Sequence, residues 1–182
     1  VLGLFLKLST PITSWIKRCS FPSQILIILA FSLGLILLGI LSQMAVSGFH
    51  LPGEWITNAA ASFPEEDPIN PLNISGIVSN AGAFFGLAAG ACWLNTKGGF
   101  NVAGTPAQRF VRYIIGTLGV IILWFGLGEV LPRGESWLPF MLRFMRYALV
   151  GIWVTALAPF IFFKLHLAHR NYPKIKRERH NN

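Results

Sequence analysis

Apolar residues along this chain come in blocks of roughly twenty, separated by short stretches that hold nearly all the charge. The blocks lie at about 23–46, 74–94, 109–131 and 141–163. Runs of that length, in place of short alternating segments, match the hydrocarbon thickness of a bilayer crossed by an α-helix. The pattern predicts an all-α integral membrane bundle of four transmembrane helices. An amino-terminal segment, residues 1–22, reads as an interfacial helix or the last turns of a truncated one, because Pro11 and Pro22 interrupt any longer helix. Residues 168–182 read as a basic tail, expected to be disordered beyond Tyr172.

The second block, ISGIVSNAGAFFGLAAGACWL, is the one around which the others are organised. Gly82, Gly86 and Gly90 recur every four residues and so fall on one stripe of a helix. A bare stripe lets neighbouring backbones approach, and in lipid such contact is a main source of cohesion. Ser32, Gly34, Gly39 and Ser42 form smaller patches in the first block, and Gly116, Gly119, Gly126 and Gly128 in the third. Arg109 and Arg112 open the third block and are expected to snorkel to the interface. In the fourth, Pro139 suits the first turn, and Pro159 removes a bond to the carbonyl of Thr155, so a kink is expected with the Thr155 hydroxyl helping the backbone.

Composition sharpens this picture. The 182 residues are 53% hydrophobic and 12% charged, against about 25% charged in soluble domains. The net charge of +8 does not point to nucleic acid, because the basic residues cluster at block ends. With the amino terminus inside, twelve Lys and Arg fall on the cytoplasmic side and only Arg133, Arg143 and Arg146 outside. This positive-inside bias places both termini in the cytoplasm, of a bacterial cytoplasmic membrane.

Candidate chemistry is sparse. Arg143 and Arg146 share a helix face at the outer end of the fourth block. They are candidates for ion pairs with Glu129, Glu135 or the acidic loop at 65–67, for a lipid phosphate, or for plain snorkelling. Arg109-Phe110-Val111-Arg112-Tyr113 recurs as Arg143-Phe144-Met145-Arg146-Tyr147, as a weak inverted repeat would. No metal site is expected: His166 and His169 lack a third ligand, and the loop carboxylates read as solvated. Cys19 and Cys92 have no ligand spacing, and the Lys97-Gly98-Gly99 loop matches no phosphate-binding loop. No cofactor is expected.

Three stretches carry a resemblance: INPLNISGIVSNAGAFFGLAAG, RFVRYIIGTLGVIILWFGLGEVLPRGE and LRFMRYALVGIWVTALAPFIFFKL. From Ile69 to Leu167 the chain resembles the carboxy-terminal membrane extension of bacterial type-2 phosphatidic acid phosphatase family proteins. VLGLFLKLSTPITSWIKR resembles the junction with the preceding catalytic core, so Val1 is expected to be a truncation point. The family's chemistry needs a Lys/Arg-Pro motif, Pro-Ser-Gly-His, and an Arg followed by His-x-x-x-Asp. None occurs here: Phe21-Pro22-Ser23-Gln24 lacks the Gly-His, and no histidine precedes an aspartate by four residues. The resemblance implies a non-catalytic membrane domain, with membrane lipids and an upstream phosphatase core or other membrane subunits as partners. The alternative is a small binding, transport or scaffold subunit of a larger complex.

Overall fold

A computed structural model describes residue 3 and residues 13–16, 18–46, 48, 52–62, 73–132, 134 and 136–170. The acidic loop at 65–67, Arg133, Glu135, the tail beyond Arg170 and most of the amino-terminal segment lie outside the described residues. The chain forms α1 (Phe21–Ala45), a short α2 (Gly53–Ser62), α3 (Ser75–Thr96), α4 (Pro106–Val130) and α5 (Trp137–Lys164). Four of these, with 25, 22, 25 and 28 residues, are long and apolar enough to cross a membrane. At ~1.5 Å of rise per residue each exceeds a ~30 Å hydrocarbon core. Apart from one antiparallel bridge, Asn101 to His169, the described residues hold no β-pairing.

Local signals explain the ends. Pro22, Pro106 and Pro139 all lie in first turns, where a missing N–H costs nothing. Thr105 caps α4 through a complete capping box, its hydroxyl accepting from the Gln108 amide while the Gln108 side chain accepts from the Thr105 amide. Helix α5 begins at Trp137, four residues earlier than the apolar run, because Pro139 is accommodated rather than excluded.

α3 packs against α1 on one side and α5 on the other, and α5 carries α4. The α3–α5 seam is where the glycines lie. A Cβ on Gly82 would meet the Phe144 carbonyl, one on Gly86 the Ala148 carbonyl, and one on Gly90 the Thr155 hydroxyl. Gly151 answers from α5: its added Cβ would sit 2.6 Å from the Leu87 nitrogen. Two backbones therefore touch, gaining dispersion and dipolar contact that larger residues would prevent. On the other side of α3, the fully buried Ser32 of α1 donates to the Ala81 carbonyl at 2.7 Å. Gly39 accommodates Ile77 in the same interface, whereas Gly34 faces open space.

Both later spans contain a π-turn, at Ile122–Gly126 and Trp153–Leu157. The second immediately precedes Pro159. Widening the helix there moves the proline ring away from the carbonyl it would otherwise strike. The Thr155 hydroxyl does serve the backbone, but at the Gly151 carbonyl, 2.9 Å away, one turn before the gap left by the proline. The Trp153 ring lies across the surface left bare by Gly119 and donates to the Gly116 carbonyl at 3.0 Å, fastening α4 to α5.

Candidate functional site

The loop between α3 and α4 and the loop between α4 and α5 close opposite ends of the bundle, and each end holds one arginine of the repeated pentapeptide. At the first end, Arg112 is buried, with 8% of its surface exposed. Its Nη2 donates to the Ala103 carbonyl at 2.8 Å, Nη1 to Val102 at 3.2 Å and Nε to Gln108 at 3.3 Å. The guanidinium also sits 5.8 Å from the centre of the Phe100 ring. Gly104, at φ 150°, brings the loop close enough that a Cβ there would strike the guanidinium. Snorkelling does not describe this residue: loop carbonyls have folded back to meet it, which satisfies the charge without exposing it. The loop is tied further by the Asn101 amide to the His169 carbonyl, 3.0 Å, and by Phe100 against Phe162 and Phe163.

The other end is built differently. A cleft of about 280 Å³ opens between α4 and α5, lined by Trp124, Phe125, Gly128, Glu129, Arg143, Arg146 and Tyr147. α5 supplies both guanidiniums and the phenol, which lie on one face because the positions are three and four apart. α4 supplies the aromatic wall from its π-turn, which holds Trp124 and Phe125. The Arg146 Cζ lies 5.4 Å from the Tyr147 ring centre and 5.8 Å from that of Trp124. Trp124 Nε1 donates to the Tyr147 hydroxyl at 3.4 Å, closing the cleft across the two helices. Gly128 leaves room for the charge, since a Cβ there would stand only 3.0–3.1 Å from the Arg146 guanidinium. Arg146 Nε is buried and has no hydrogen-bond partner among the described residues. A buried donor left unmatched is costly in a folded protein.

The structure thus brings Arg143 and Arg146 together in one cleft with Glu129 at its edge, and places Gly82, Gly86 and Gly90 along the α3–α5 seam. Sequence reasoning named these residues but missed Trp124, Tyr147 and Gly128 as their neighbours. It also missed the Arg112 clasp, although Thr105-Pro106-Ala107-Gln108 carries a readable capping signal. Among the described residues no cluster of three or more His, Cys, Asp or Glu could hold a metal, and Cys19 and Cys92 are free thiols.

Residues 78–170, just over half of the chain, match a family model described as PAP2 superfamily phosphatase, transmembrane extension. The match runs from the first turn of α3 to six residues past the end of α5 and includes both arginine ends; α1 precedes it. No curated protein and no solved structure matches the chain.

Proposed function

Because the chain belongs to the transmembrane-extension family of PAP2 superfamily phosphatases, we propose that it is a non-catalytic membrane domain accompanying a lipid-phosphate phosphatase core. One observation carries the reading. Phosphoryl transfer through a histidine nucleophile requires cationic groups within hydrogen-bonding distance of the phosphate that the histidine attacks. Here Arg143 and Arg146 open α5, whereas His166 and His169 follow its last turn. Twenty residues separate Arg146 from His166, or ~30 Å along a helix. Those two guanidiniums and the imidazoles cannot meet on one substrate, and Arg112, whose loop is bonded to His169, already donates its fork to backbone carbonyls.

The work left for such a domain is structural: a rigid four-span body that packs beside the catalytic helices and shapes the lipid around them. The distribution of Lys and Arg, twelve against three, supports both termini facing the cytoplasm of a bacterial cell. The test is phosphate release from phosphatidic acid and from a polyprenyl pyrophosphate by the purified chain in detergent micelles. No release above a mock preparation is expected. Turnover that disappears when His166 and His169 are replaced by alanine would overturn the reading.

A further inference from the structure

We propose that the cleft between α4 and α5 is a binding site for a phosphate anion, presented at that membrane face by a lipid headgroup or as the free ion. The inference goes beyond the accessory role above and stands without it, since it needs only the membrane-spanning helices and the cleft. Three independent features point the same way. First, the cleft is net positive, with two guanidiniums against the single carboxylate of Glu129 among its lining residues. Guanidinium forks match phosphate oxygens in geometry as well as charge. Second, Arg146 Nε is buried without a hydrogen-bond acceptor among the described residues, while its neighbour at the other end, Arg112, has an acceptor for every nitrogen of its fork. An oxyanion in the cleft beside the guanidinium would offset that incompletely matched charge.

Third, the walls of the cleft suit a headgroup. A π-turn presents Trp124 and Phe125, and such turns recur at functional sites. Gly128 clears space for the guanidinium. Trp124 and Tyr147 flank the charge with faces that favour a cation and, at the interface, with N–H and O–H groups that favour a headgroup. Depth also fits. Arg143 and Arg146 lie six and nine residues after Trp137, ~9 and ~14 Å along the helix. Side chains on a helix lean toward its amino-terminal end, so both reach back toward the headgroup layer. The volume, about 280 Å³, admits a phosphate with part of the glycerol that carries it.

The experiment uses the full chain in nanodiscs of phosphatidylcholine doped with phosphatidic acid, with bound lipid counted by native mass spectrometry and stability followed by thermal melting. A parallel arm adds inorganic phosphate to chain in lipid-free detergent. Phosphatidic acid retained in preference to phosphatidylcholine, and weakened about tenfold or more in Arg146→Gln, is the expected result, a charge-assisted contact being worth that much. Arg146→Lys should fall between, because it keeps the charge and loses the fork. A phosphate-induced rise in melting temperature that vanishes in Arg146→Gln, without selective lipid retention, would make the free ion the ligand and still support the site. Should Arg146→Gln fail to fold, Gly128→Ala, which only displaces the guanidinium, must weaken retention in its place. Equal retention of both lipids together with no Arg146-dependent phosphate shift, or equal binding by wild type and the folded variants, overturns the proposal.

Discussion

Arg112 and Arg146 each hold the fourth position of Arg-Phe-x-Arg-Tyr, each near the start of a span, and each lies over an aromatic ring. Around Arg112, a loop with a glycine at φ 150° lays two carbonyls onto the guanidinium and the first turn of α4 adds a third, and burial follows because every nitrogen of the fork is matched. Around Arg146, the neighbours are two aromatic rings, a glycine and an exposed carboxylate, and one buried nitrogen stays unmatched. The same Arg-Phe-x-Arg-Tyr pattern thus builds a brace at one end and lines an open cleft at the other. What differs is the company each arginine keeps: carbonyls four to ten residues before Arg112, and the facing helix α4 around Arg146.

That contrast stands on the seam between α3 and α5, so the largest effect should come from breaking the seam. Gly86→Leu would drive a side chain into the Ala148 carbonyl and should cost about 3 kcal/mol, the upper range for overpacked interiors. Melting in detergent should fall sharply and the difference between the two ends should disappear with the fold. Unchanged melting would mean that this face of α3 does not meet α5.

A paired substitution sharpens the comparison on a smaller scale. Arg112→Met strands the Val102 and Ala103 carbonyls and should lose about 2–3 kcal/mol, as expected when charged hydrogen bonds are removed from buried partners. Arg146→Met removes no hydrogen bond made to Nε, and thermal melting should shift by less than about 1 kcal/mol in equivalent stability. Equal losses at the two positions would show that both arginines are braces.

How much of this was legible follows from where each feature's partners lie in the sequence. The four spans and the Gly82–Gly86–Gly90 stripe depend on residues within one block, so periodicity and length reveal them. Arg143 and Arg146 stood out for a similar reason: two charges at the start of an apolar run, on the side poor in Lys and Arg. Trp124 joining Tyr147, and Trp153 covering Gly119, are contacts between helices 23 or more residues apart in sequence. Their register depends on two π-turns, which shift every side chain downstream by about a third of a turn and leave little sign in the apolar pattern. Arg112 was misread because its partners are backbone carbonyls, which have no identity in a sequence; only Gly104 and the Thr105 capping box hinted that a loop folds back there.

The orientation proposed from the Lys and Arg distribution puts the Arg112 end inside and the Arg146 cleft outside. Single cysteines in a chain whose Cys19 and Cys92 have been replaced by serine test this directly, using an impermeant maleimide on intact cells. Cysteines at Asn58 and Ser136, on the side of the Arg146 cleft, should be labelled from outside, whereas those at Thr96 and Asn181 should react only after lysis. Labelling of Thr96 from outside with Ser136 protected would reverse the sides, put the open cleft at the cytoplasmic leaflet, and contradict the account.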